Sequence, residues 1–133
     1  MLSKIDAQPN LPVKDLEKAK PWYEHVLGLE PVGPSQEGGV QGYRAGATVI
    51  LVYQSQFAGT NRATAVTWSL GDKFDKVVKT LKARGVTFES YDMPGETAVA
   101  GVYAHGAMRV AWFKDPDGNI INIGNYPVGE PMA

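Results

Sequence analysis

The chain has 133 residues, a formal charge of -1, 44% hydrophobic residues and no cysteine. Near-neutral charge gives nucleic acid or an anionic membrane no electrostatic handle, and the lack of cysteine rules out disulfides and thiolate metal sites. No apolar run approaches the ~18 residues of a membrane span, and MLSKIDAQPN at the start has no apolar h-region, so a cytoplasmic protein is expected.

The first predicted helix lies in LPVKDLEKAKPWYEHVLGLEPV, residues 11–32. Asp15 is placed to accept an orphan backbone N–H of the first turn. Leu16, Ala19, Tyr23, Val26 and Leu27 form one apolar stripe, and Gly28 supplies the left-handed residue that ends a helix. Pro21 lacks the N–H that a helix interior needs. Regular helix is therefore expected to begin near Pro21, after a looser first turn. Three strand-like runs follow: EPVGP, VQGYRAG and ATVILVY, the last two joined through Gly46.

Beyond the connector Gly59-Thr60-Asn61-Arg62, the segment WSLGDKFDKVVKTLKARGVTFE repeats this grammar. Asp72 is the expected cap, Phe74, Val77, Val78 and Leu81 make the stripe, and Gly85 is the stop. Val13 and Leu70, Asp15 and Asp72, Gly28 and Gly85 are each separated by 57 residues. Identical spacing of cap, stripe and stop points to an internal duplication. The second half continues with VTFESY, a Gly- and Ala-rich stretch, then MRVAWF and NIINI joined by KDPDG. Proline and glycine in that last link preset a tight turn. Each half thus reads β-α-β-β-β, an α+β fold with helices on one face of a mixed sheet. The stretch SYDMPGETAVAGVYAHG has the composition of a flap.

The repeated helices and the FKDPDGNIINI hairpin, taken in order, make the chain resemble the vicinal oxygen chelate superfamily. That group includes glyoxalase I, extradiol dioxygenases, methylmalonyl-CoA epimerase, fosfomycin-resistance enzymes and bleomycin-binding proteins. The resemblance covers nearly the whole chain. It implies a single domain over 1–133, with modules of about 1–59 and 63–126, a short tail 127–133, and a sheet curved into a cup with its helices outside.

Metal-using members hold the ion at four equivalent positions, which match Gln8, Ile50, Ala65 and Asn122, Ile50 to within a residue or two. A catalytic divalent metal needs about three good protein ligands. Two neutral amides and two aliphatic groups do not supply them. No cofactor is expected, with Gln8 and Asn122 the only candidates should a divalent metal bind. Some glyoxalase I enzymes place glutamine at the first position, but they back it with carboxylates and often a histidine. Strand periodicity adds Asn10, Thr67 and Ile120 to the faces of Gln8, Ala65 and Asn122.

Arg109 shares strand parity with Ala111 and Phe113, while Met108, Val110 and Trp112 form the more uniformly apolar set. That pattern expects Arg109 and Phe113 in the cup, where a guanidinium binds carboxylate or phosphate. The opposite parity, with a solvated arginine, is the alternative. His105 is the one candidate general base, and His25 lies off the apolar stripe of its helix. The ligand-binding set is therefore Gln8, Asn10, Ile50, Ala65, Thr67, Arg109, Phe113 and Asn122. The expected function is metal-free binding of a small organic molecule. The alternatives are a glyoxalase I-like lyase, epimerase or dioxygenase with an atypical site, and a protein-interaction module. The resemblance also implies a homodimer.

Overall fold

A computed structural model describes residues 1–36, 38–91 and 98–127. The chain forms two compact units. The first comprises Met1–Arg62 with Pro116–Asn119, and the second comprises Ala63–Asp115 with the chain from Ile120 onward. Each is an open mixed sheet carrying one principal helix, so the fold is α+β.

In the first unit, β1 (Asn10–Val13), β2 (Glu30–Gln36), β3 (Val40–Ala45) and β4 (Thr48–Gln54) are ordered β1-β4-β3-β2. β1 runs parallel to β4, and the other pairs are antiparallel. α1 (Leu16–Pro21) follows β1 and is capped by Asp15, whose Oδ1 accepts from the Lys18 N–H at 3.3 Å. After Pro21 the helix widens into a π turn over Trp22–Val26, with the Leu27 N–H reaching the Trp22 carbonyl at 3.2 Å. The irregularity therefore follows Pro21 instead of preceding it. The side-chain cap secures the first turn, while the missing proline N–H loosens the ladder downstream of it. Gly28 closes the helix at φ 70°.

Facing residues in paired strands lie on the same side of a sheet. Tyr43 faces Ile50, Gln41 faces Val52, and Leu11 also faces Val52. This is the helix side, because the Tyr43 ring stacks on Tyr23 and its hydroxyl donates to Glu24 Oε2 at 2.9 Å. Leu11, Tyr43, Ile50 and Val52 are all essentially inaccessible. Asn10, Gly42 and Leu51 occupy the opposite face. β2 forms an edge of this sheet, carries Pro31 and Pro34, and shifts register between Val32 and Gln36.

The turn Pro116–Asn119, the KDPDG link of the sequence, belongs to this unit. Its Asp117 Oδ1 accepts from the Lys14 N–H at 3.1 Å, and Asn119 Nδ2 donates to the Pro12 carbonyl at 2.7 Å. Gly59 (φ 80°) lies so close to the Asp117 carbonyl that no side chain fits there.

The second unit orders its strands β5-β9-β8-β7-β6. They are β5 (Thr64–Ser69), β6 (Ala98–Val99), β7 (Val102–His105), β8 (Met108–Lys114) and β9 (Ile120–Gly124). A 3-10 turn at Gly71–Lys73 leads into α2 (Phe74–Ala83), which buries Phe74, Val78 and Leu81. The expected Asp72 cap does not form, and neither turn nor helix has a side-chain cap. Backbone carbonyls anchor the entry instead: Leu70 N–H donates to Gly124 at 2.8 Å and Gly71 N–H to Tyr126 at 2.6 Å. Gly85 ends the helix at φ 92°, as its spacing predicts.

The run VTFESY is not a full strand. It makes a single bridge, Phe88 to Phe113, and the Glu89 N–H donates to the Trp112 carbonyl at 2.8 Å. The β6–β7 hairpin, turning through Ala100 (φ 53°) and Gly101 (φ 84°), pairs with the N-terminal half of β8 instead. Of the expected flap, residues 92–97 lie outside the described residues.

Burial, followed by the hydrogen bond to Glu24, raises the Tyr43 hydroxyl well above its ordinary pKa of 10.0. A group whose folded pKa is raised contributes its full stability below the unfolded value and loses it as pH climbs past that value. The native protein should therefore lose stability above pH ~10. Tyr43→Phe should flatten that loss while costing about 1.5 kcal/mol at neutral pH, because a hydrogen bond to a charged partner goes. Urea unfolding across pH 7–11 measures both, and an unchanged alkaline slope in the variant would contradict the assignment.

Candidate functional site

Each unit turns one face of its sheet away from its helix. In the second unit, Trp112 stands directly opposite Asn122, and Asn122 opposite Thr67. Val110 and Tyr103 continue the same face through β8 and β7. Phe113 faces Ile121 and Ala111 faces Ile123, which puts those four on the other side.

Asn122 is only 2% exposed, and both ends of its carboxamide are hydrogen-bonded. Nδ2 donates to the Ala111 carbonyl at 3.0 Å and the Ile123 carbonyl at 3.5 Å, while Oδ1 accepts from Thr67 Oγ1 at 3.2 Å. The two carbonyls fix which way the amide points, since only nitrogen can donate to them. A buried amide without partners would cost about 1–3 kcal/mol, so this set also ties β5, β9 and β8 together.

Trp112 is held from three directions. Its Nε1–H donates to Thr64 Oγ1 at 3.2 Å, and Tyr91 and Tyr103 both meet the ring edge-on at 5.7 Å. The Tyr103 hydroxyl donates to the Tyr91 carbonyl at 2.8 Å and accepts from the Tyr91 N–H, clasping that residue beside the indole. Burial, then the neighbouring Glu89 carboxylate, raises the Tyr91 pKa from its ordinary 10.0, so this hydroxyl is neutral at physiological pH. The wall is aromatic, flanked by the Glu89–Lys114 ion pair.

Three of the expected site residues lie on the helix side of their sheets. Ile50 lies under α1 with Tyr43, so Leu51 and not Ile50 shares the face of Asn10. Phe113 is buried on the α2 side, edge-on to Phe88 at 5.7 Å. Arg109, of the same parity, lines a cavity of about 250 Å³ beside Asp72, Phe74 and Asp75 at the start of α2. Its Nη1 donates to the Gly106 and Met108 carbonyls, both at 2.9 Å. The apolar set Met108, Val110 and Trp112 faces away from the helix, where Trp112 packs against Tyr91 and Tyr103.

The remaining expected residues fall as follows. Gln8 is exposed just before β1, and its carbonyl accepts from Asn10 Nδ2 at 2.9 Å. Asn10 is exposed on the open face of the first unit. Ala65 is the extra residue of a register shift between Thr64 and Val66. That bulge returns Thr64 to the face of Thr67, and strict period-two counting overlooked it. His105 pairs with Met108 and shares the face of Tyr103. Met108 and Trp112 are four positions apart on β8, which puts His105 about 13 Å along the strand from the Trp112–Asn122 pair.

The residues that the resemblance matches to the family's metal positions, Gln8, Ile50, Ala65 and Asn122, include no histidine, cysteine or carboxylate. In the first unit they are Gln8 and an aliphatic of β4, and in the second an alanine and an amide already engaged. First-row metals take imidazole or thiolate and harder cations take carboxylate, and none of these stands at those positions. Among the described residues, no group of three or more His, Cys, Asp or Glu is placed to hold a metal ion. No described helix is long and apolar enough to cross a membrane.

The chain belongs to the Glyoxalase/Bleomycin resistance protein/Dioxygenase superfamily, whose family model matches residues 7–123. Similar crystal structures include the fosfomycin resistance protein FosX of Listeria monocytogenes, at 17% identity and TM-score 0.73, covering 96% of this chain and 94% of that one. The same protein complexed with Mn(II) and sulfate gives 18% identity and TM-score 0.68, covering 96% and 93%. Lactoylglutathione lyase of Agrobacterium tumefaciens gives 19% and 0.65, covering 91% and 92%. Identities this low speak to the fold alone. Comparison with proteins of curated function gives no match.

Asn122→Asp tests the amide tie. The carboxylate would face the Ala111 and Ile123 carbonyls with no donor to offer, costing about 3 kcal/mol at neutral pH. Its pKa would rise on folding, so the penalty should shrink as pH falls toward ~4. Urea midpoints of variant and parent at pH 4 and 8 measure this, and equal gaps at both would show that the amide is not the tie.

Proposed function

We propose that the protein binds a small organic molecule, as bleomycin-binding relatives do, without the divalent metal its family commonly uses. The supporting observation is the Asn122 amide, tied to the Ala111 carbonyl and Thr67 at the position that the resemblance matches to the last metal ligand. Gln8, Asn10 and Leu51 in the first unit, and Thr64, Ala65, Thr67, Trp112 and Asn122 in the second, are the ligand-facing candidates. A wall of aromatics with a few hydroxyl and amide groups suits a small, largely uncharged ligand. The same reading takes the protein as a cytoplasmic homodimer.

Protein purified without chelators should carry far less than one metal per chain by elemental analysis. Zinc, nickel, iron or manganese at one per chain, lost in Asn122→Ala, would sink the proposal. A thermal-shift screen of small organic molecules should yield saturable hits, since ligand at a hundredfold excess over Kd stabilises by about 2.7 kcal/mol.

A second reading, an enzyme with an atypical site, draws on the lyase and the Mn(II)-bound FosX among the structural neighbours. It requires turnover of a hemithioacetal, an epimerisable thioester or a catechol that responds to added metal. It also requires that substitution of Gln8, Asn122 or His105 lower kcat.

A further inference from the structure

We infer that the open face of the second unit takes an uncharged planar ring carrying one hydrogen-bond acceptor and one donor, laid against Trp112 and read by Thr64 and Thr67. This rests on the small-molecule reading above and narrows it to a ligand class.

The polarity of the two hydroxyls follows from their partners. Asn122 turns its nitrogen to the Ala111 and Ile123 carbonyls and therefore its oxygen to Thr67. An amide oxygen cannot donate, so Thr67 gives up its proton there and keeps lone pairs for a ligand. Indole N–H is a donor only, so Thr64 accepts from Trp112 and keeps its own proton for a ligand. Both threonines are exposed.

The face thus offers one acceptor and one donor. Thr64 stands opposite Ile120 and Thr67 opposite Asn122, two residues apart on β9, a separation of about 7 Å between backbones. Trp112 lies across from Asn122, and Tyr91 and Tyr103 hold its plane at 85° and 74° to their own. A ring set against that indole would meet both hydroxyls.

Among the described residues, the charges nearest the Tyr91–Trp112 pair form an ion pair with each other. Lys114, the cation on this face of β8, is already paired with Glu89 at 3.3 Å. Arg109 is on the other side of the sheet, and His105 is at the far end of it. A carboxylate or an ammonium would have to compete with the Lys114–Glu89 pair for a counter-charge, whereas a lactam or similar neutral ring gives up little hydration.

The test uses four probes of similar size, uracil, 2-pyridone, benzoate and benzylammonium, titrated calorimetrically into the parent protein and into Thr64→Val, Thr67→Val and Thr64→Ser. Uracil and 2-pyridone should saturate. Each valine variant should weaken them about tenfold, the worth of one hydrogen bond. Thr64→Ser, which restores the hydroxyl, should bind within about twofold of the parent. Benzoate or benzylammonium binding as tightly as the neutral rings would overturn the ligand class and leave small-molecule binding standing. Neutral-ring binding indifferent to both valines would overturn the roles of the threonines. Saturation by none of the four would overturn the inference entirely, leaving the broader reading to the thermal-shift screen.

Discussion

A carboxamide with almost no access to water must find its hydrogen bonds within the protein, and Asn122 finds them on two neighbouring strands. Its nitrogen holds the β8–β9 seam and its oxygen draws in Thr67 from β5. That arrangement makes the residue structural before it is anything else. It also decides what the surrounding face presents, because each hydroxyl and indole nearby is left with whatever bonding capacity the amide and its partners do not use. Sheet integrity and surface chemistry here share the same few atoms.

The helices and the DPDG turn were legible because their signals are local. Gly28 and Gly85 both adopt the left-handed conformation their spacing calls for, and Asp15 caps its helix. The orientation of β8 was not legible. Val110, Ala111 and Phe113 are all buried, with Trp112 half-covered, so alternation along that strand carries little contrast. The same holds for TVILVY, where Ile50 and Val52 lie under α1 while Leu51 is half-covered on the opposite face. The Ala65 bulge was invisible too, since one inserted residue changes the count without changing the composition. These positions decide which side chains line the candidate site, so the fold was easier to read than the site.

The duplicated halves differ where duplication would hide a difference. Asp15 and Asp72 occupy equivalent places in the sequence, yet only the first caps a helix. In the second half the chain enters α2 through a 3-10 turn at Gly71–Lys73, with the N–H groups of Leu70 and Gly71 held by the carbonyls of Gly124 and Tyr126. Likewise the strand that follows α1 is a full edge strand, while the run after α2 is reduced to one bridge and a short hairpin takes its place beside β8. The second unit thereby gains Tyr103, whose hydroxyl clasps the Tyr91 backbone beside Trp112.

The prolines of β2 bear on how copies of this chain meet. A bare sheet edge is a template on which another polypeptide can add a strand, and that is a common route to fibrils. Pro31 and Pro34 have no backbone N–H, and the register shift between Val32 and Gln36 breaks the rhythm that an added strand would have to match. Both features disfavour continuation of this edge by backbone pairing with another strand.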